Sequence, residues 1–309
     1  MAGLAAAARL VDATRLRAMW LALRRDARPF GHAGDPDPAL LAPVERPFDS
    51  VADAEDGLGT LKGRLRDRRD RRAVFLSIYV RMTRAVRERI ERGGFRDPDW
   101  MRRYTTTFAN YYRAAFLAFE QGRDGAVPAP WRIAFGAAGG GDALVVQNAF
   151  LGVNAHINYD LALALDDVGI DPNRGRKYAD HRAIDGILAR LVDVQQEALA
   201  EVYAAGLDDV DAALGDLDEA LTLDSMTACR EWAWRVAVVR TDADWPPVDS
   251  YARWVLRTVA TGGAFVVLGP ALDPALLSTL RRVETGHLDL GDVLARIDDR
   301  IEEVDLATA

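Results

Sequence analysis

Between Asp142 and Leu165 the chain reads ALVVQNAFLGVNAHINYDLALA. Turned through roughly 100° per residue, this stretch is apolar on every side, the pattern of a helix inside a core rather than on a surface. It nevertheless carries Gln147, Asn148, Asn154, His156, Asn158, Tyr159 and Asp160. A buried polar group without a partner costs about 1–3 kcal/mol, so such a helix demands partners from its neighbours. Those partners are either structural or a site. Any fold for this chain has to be built around that helix.

Half of the 309 residues are apolar, enough for a substantial core. The formal net charge of -8 argues against nucleic acid or an anionic membrane surface as a partner. Cys229 is the single cysteine, which excludes an intrachain disulfide, and its apolar helical setting argues for an inert thiol rather than a nucleophile. Arg9 and Asp12 break the N-terminal apolar run, so no signal peptide is expected there. The run from Thr258 to Leu268 is too short to span a bilayer. The expectation is a soluble, cytoplasmic protein.

Taken in order, residues 3–26 read as an amphipathic helix with Leu10, Leu16, Trp20 and Leu23 on the face that packs on the body. Arg28 to Asp49, rich in Pro and Gly, reads as an extended linker. A weak helix over 51–65 is followed by the charge run at 66–73, read as a solvated helix start. Helices are expected over 73–93 and 98–122. The second carries Phe108, Tyr111, Tyr112, Phe116 and Phe119 as a core stripe. A short helix follows from Pro128 to Ala138. The turn Gly139–Asp142 lacks the Lys-Ser/Thr of a phosphate-binding loop, so Asp142 is read as a helix cap. Further helices are expected over 177–205, 218–240, 251–269 and 276–304, and no segment alternates with a strand period. The fold class is therefore all-α, a multi-helix bundle in one domain over 1–309. Within it lie the N-terminal helix, the linker at 28–49, a helical body at 50–240 and C-terminal helices at 245–309 packed on that body.

Several stretches together resemble one family: Asp70 to Arg87, Phe108 to Tyr112, Pro130 to Phe135, Leu151 to Leu165, Asp180 with Ile184 to Leu188, and Arg230 to Ala237. The set is similar to the domain-of-unknown-function family numbered 5995, with Asn-Ala-His-Ile-Asn-x-Asp-Leu as its specific core, across about residues 50–240. The chain departs from that pattern at Asp185, where the family has Asn, and at His181, where an aromatic is favoured. The resemblance implies an all-helical soluble protein and no particular activity.

His156 and Asp160 lie four apart, on one helical face and within reach of a shared ligand. Asn154 and Asn158 form a second pair on nearly the opposite face, with Gln147 two turns earlier, and are read as a structural polar network. The next helix supplies Asp180, His181 and Asp185. Histidine and carboxylates from facing helices are how bundles build metal sites, so His156, Asp160, Asp180 and Asp185 are the candidate ligands of a divalent metal. Such a metal would activate water against a phosphoester, with His156 and Asp160 in the catalytic centre and Arg113, Arg132 or Arg230 steadying an anionic substrate. The alternative is a non-catalytic protein in which the same residues are structural or bind a small-molecule ligand. His32 and His287 have no evident partners and are read as exposed.

Overall fold

Short polar side chains set where the helices begin. A computed structural model describes residues 7–303 apart from 142, 192–193, 195–196, 198–222, 244, 270–273 and 287–288. Asp12 accepts the Arg15 amide to open α1 (Ala13–Arg24), and Ser50 accepts the Asp53 amide at α2 (Val51–Asp67). α3 (Arg72–Glu91) is followed by α4 (Pro98–Glu120), where Asp97 caps the Trp100 amide and Pro98 occupies the first turn. α5 (Ala129–Gly140) leads to the central element. This is α6 (Val145–Ala155), a five-residue π turn (His156–Asp160) and α7 (Leu161–Val168), running on as one bent rod. α8 (Arg174–Ala183), α9 (Leu223–Thr241), α10 (Pro246–Leu268), α11 (Pro274–Gly286) and α12 (Leu290–Glu302) are the longer helices that follow, and the stretch 28–49, expected to be extended, instead carries a one-turn helix (Pro38–Leu41) and 3-10 turns at Arg28–Phe30 and Ala42–Val44. No strand occurs among the described residues, and the protein is an all-α multi-helix bundle.

The central rod is touched along its length by α3, α4, α5, α9 and α10. Every residue from Val145 to Gly152 is buried. Gly152 is required there, because a Cβ would run into the Phe75 ring. The rod starts later than its hydrophobicity suggests. The Leu144 amide is taken by the Gln147 side chain at 2.9 Å and the Val145 amide by Glu284 at 2.7 Å, so a carboxylate from α11 caps the buried end. Asp142, read as that cap, lies outside the described residues, as do His287 and much of the helix expected over 177–205.

Three surface expectations need correcting. α1 does pack on the body, along α10, but through Ala18 and Met19, while Leu16, Trp20 and Leu23 are 57%, 52% and 70% exposed. Small residues decide this: a Cβ on Gly262 would collide with the Ala18 carbonyl, so the two backbones approach more closely than leucines allow. The helix also breaks before Asp12, which leaves Leu10 buried with its carbonyl taken by the Trp232 indole. The charge run is not simply solvated. Arg72 is largely buried between Asp70, Glu120 and the face of Phe116, and Arg71 reaches the Ala143 carbonyl and Glu284. His32 is half-buried, edge-on to Phe119 at 5.2 Å.

The C-terminal helices contact the rest directly. α10 packs on α1, α5, α6 and α9, and α12 lies on α3. Arg240, nearly buried, holds Asp166 at the end of α7 and Asp249 at the start of α10, both within 2.8 Å. No helix among the described residues is long and apolar enough to cross a membrane.

Candidate functional site

The polar side chains of the central rod fall on two seams, and each seam meets a different neighbour. On one, Gln147 donates to the Val267 carbonyl at 2.7 Å and Asn154 to the Ala260 carbonyl at 2.8 Å, both on α10. Asn158 then donates to the Asn154 oxygen at 3.1 Å. Gly263 makes this approach possible, since a Cβ there would strike the Asn154 oxygen. Gln147 and Asn154 thus tie the rod to the backbone of α10, and Asn158 extends the chain of donors by one residue.

On the other seam the π turn places His156 above Asp160. The Leu161 amide bonds back to the His156 carbonyl, five residues earlier, which adds one residue to that turn. The His156 Nδ1 lies 3.0 Å from Asp160 Oδ2, and the Trp131 indole donates to the same oxygen at 2.8 Å. Both members of the pair are buried, His156 at 2% and Asp160 at 1% exposure. Phe108 stacks on the imidazole with centroids 3.5 Å apart, and Tyr79 meets its edge at 4.3 Å. Burial in this aromatic box holds the Asp160 carboxyl well above its ordinary value and His156 well below, with the Trp131 bond opposing the shift at Asp160.

Two atoms of the pair have no partner: Asp160 Oδ1 and His156 Nε2. A cavity of about 70 Å³ lies beside His156, with Phe75, Tyr79, Met82, Phe108, Val153, Ile157, Leu188, Met226 and Arg230 among its walls. The lining is overwhelmingly apolar. The exceptions are the imidazole, the phenol of Tyr79, whose hydroxyl also has no hydrogen-bond partner, and Arg230.

The remaining candidate ligands are elsewhere. Asp180 accepts the Arg96 amide at 2.7 Å and the Asp97 amide at 2.6 Å, satisfying the chain as it enters α4. His181 pairs through Nδ1 with the Tyr104 hydroxyl at 3.0 Å, and its Nε2 lies 3.3 Å from the Arg230 carbonyl. Asp185 holds Arg230 at 2.8 Å and Arg182 at 2.9 Å. α8 and the residues just after it therefore serve the start of α4 and the side of α9, with Asp180 held by backbone donors and Asp185 by guanidinium groups. Among the described residues no three His, Cys, Asp or Glu side chains converge as a metal site would require.

The arginines divide in the same way. Arg113 braces the segment before α2, donating to the Val44 carbonyl and to Asn110, both at 3.0 Å. Arg132 reaches the Asp124 carbonyl. Only Arg230 lines the cavity with His156, its guanidinium held by Asp185 and by the His181 carbonyl at 2.5 Å. Burial raises the Cys229 thiol, so it stays protonated at neutral pH. The residues that make the His156 environment distinctive, Trp131, Tyr79, Phe75 and Phe108, sit on three other helices. Their apolar periodicity marks them as core and gives no hint that they share one imidazole.

A family model covers residues 51–270, more than two thirds of the chain, and includes the central rod, the His156 cavity and α10. The chain belongs to DUF5995, a family of unknown function. The match extends past 240 to include α10, as expected of a helix that supplies hydrogen-bond acceptors to the rod. Comparison with curated proteins and with solved structures gave no match.

Proposed function

We propose that this DUF5995 protein binds a small, mainly apolar ligand in the cavity beside His156. The observation that carries the reading is the almost wholly apolar cavity of about 70 Å³ beside His156, a residue whose Nε2 is buried without a partner. Leaving such a nitrogen unpaired costs about 1–3 kcal/mol. Its surroundings are built to hold it in place. Asp160 fixes the opposite ring nitrogen, Trp131 fixes Asp160, and Phe108 and Tyr79 clamp the ring plane. An imidazole oriented by a carboxylate that is itself oriented is the arrangement of a recognition or proton-handling group. The metal-dependent phosphoester hydrolase expected from spacing has less support, because Asp180 and Asp185 are held by other partners.

Ligand binding raises the melting temperature with ligand concentration, so a panel of small apolar fragments screened by thermal shift tests the reading. Fragments that stabilise the wild type should lose their effect in Val153→Phe, which fills the cavity, provided circular dichroism shows that variant folded. A panel without a single stabilising member, together with no xenon in the cavity of pressurised crystals, would leave His156 a purely structural residue. Elemental analysis of untagged protein decides the hydrolase reading separately. Stoichiometric metal that is lost in a folded His156→Ala variant would restore it.

A further inference from the structure

The asparagine seam of the central rod borders a groove that is separate from the His156 cavity. α1, α9 and α10 all line it, and Asn154 and Asn158 reach it from the rod. Its volume is about 870 Å³, against about 70 Å³ beside His156. The α1 side runs from Asp12 to Arg25, a distance of about 20 Å along the helix, so the groove is elongated. Ala18, Val259 and Phe265 are buried along it, while Trp20 and Val266 are 52% and 40% exposed at its edge. A recess of this size with apolar walls and a few polar groups is of the kind that holds small molecules.

Charge narrows what the groove can hold. Its charged lining among the described residues is Arg15, Arg17, Arg25 and one carboxylate, Asp12. That carboxylate is already engaged, because Oδ1 accepts the Arg15 amide at 2.9 Å and Oδ2 accepts the Arg15 guanidinium. Arg17 and Arg25 have no ion pair and no side-chain hydrogen bond among the described residues. Elsewhere Arg46, Arg84, Arg87 and Arg174 each hold two carboxylates. In a chain of net charge -8, two unmatched guanidinium groups on one groove make a local positive field that favours an anion. The Arg25 guanidinium is also positioned, lying over the Phe265 ring at 5.7 Å from its centroid. Gly269 leaves it room, since a Cβ there would come within 3.4 Å of Arg25 Nη1.

We propose that this groove binds a chain amphiphile with an anionic head, of the fatty-carboxylate type. The chain lies along α1 against Ala18, Leu21, Val259 and Phe265, and the head pairs with Arg25. A guanidinium offers two parallel donors to a carboxylate, a match that a point charge does not give. Arg17, about 12 Å back along the helix, adds positive potential over the groove. A cationic amphiphile of the same length would find the same apolar walls and meet both arginines as like charges.

Calorimetric titration of the full chain with decanoate and with decyltrimethylammonium, each below its aggregation concentration, tests the proposal. Decanoate is expected to bind saturably, one per chain, and the cation at least about tenfold more weakly. Arg25→Gln should weaken decanoate by about tenfold, the loss expected of a charge-assisted hydrogen bond. Ala228→Trp, at an exposed position that lines the groove from α9, should abolish decanoate binding, with circular dichroism showing both variants folded. Val153→Phe, which fills the His156 cavity, should leave decanoate binding unchanged, so the groove and the cavity stand or fall separately. No saturable decanoate binding, or equal affinity for the two amphiphiles, would overturn the proposal. So would decanoate binding that is lost in Val153→Phe and kept in Ala228→Trp. A chain that sediments with anionic phospholipid vesicles yet takes up no decanoate would overturn it too, and would make α1 a membrane-facing helix with Leu16, Trp20 and Leu23 as its inserted face.

Discussion

The two buried histidines are both neutral in the folded protein, for different reasons and with different consequences for stability. His181 is held below its ordinary value of 6.5 by burial first and by the Arg230 charge second. Its folded form refuses a proton that the unfolded chain accepts below pH 6.5. His181 therefore costs stability as the pH falls through that value, by about 1.4 kcal/mol per pH unit. The His156–Asp160 pair behaves otherwise because its two shifts oppose each other. The folded pair keeps two protons, and between the ordinary values of 3.8 for Asp160 and 6.5 for His156 the unfolded chain also binds two. The pair is thus neutral to pH inside that window. Above 6.5 the unfolded chain binds one fewer proton, so the pair costs stability as the pH rises. Urea melts between pH 5 and pH 8 check both statements. His181→Gln should flatten the acid side and Asp160→Asn the alkaline side, each by about one proton's worth of slope. Unchanged slopes in both variants would mean that neither group is shifted.

Helix pairing in this protein depends on small residues more than on leucines. α1 presents Leu16, Trp20 and Leu23 to the outside because Ala18 and Gly262 allow its other face to lie closer to α10. Gly262→Ala should therefore destabilise by about 1–3 kcal/mol, as an overpacked contact does. Leu23→Gln, on the exposed face, should change stability by less than about 0.5 kcal/mol. A reversed order of these two effects in denaturant melts would show that α1 seats on its leucines. The rod and α10 are joined by the same economy of size. Gly263 leaves room for Asn154, and Asn154→Ala should cost about 1–3 kcal/mol by leaving the Ala260 carbonyl and the Asn158 amide short of a partner. A midpoint shift near zero in that variant would mean that water replaces both bonds without loss.

At the scale of the whole molecule, the C-terminal helices complete the core. α11 caps the buried end of the rod through Glu284, α10 receives its asparagine and glutamine, and Asp298 of α12 pairs with Lys62 at 3.0 Å and Arg66 at 3.4 Å on α2. A chain ended before Pro246 should therefore fail to give a cooperative thermal transition. Limited proteolysis should likewise release no stable fragment ending there. A protected fragment with its own melting transition would show that the body folds without α10.

The sequence by itself determined the helical class, the central helix, its two polar seams and the pairing of His156 with Asp160. These follow from a spacing of three to four residues, which any helix turns into a shared face. The same spacing joins His181 to Asp185, yet in the fold His181 turns to Tyr104 and Asp185 to Arg230. Which residues meet across helices was decided only by the tertiary structure. Asp180 reads equally well as a metal ligand or as an acceptor for backbone amides, and the unpaired amides of Arg96 and Asp97 claimed it. The box of Phe75, Tyr79, Phe108 and Trp131 was likewise invisible, because each belongs to the apolar period of its own helix. Periodicity records the face a residue takes on its own helix, whereas the side chain it meets depends on how closely two helices approach. Glycine and alanine at the crossings set that distance.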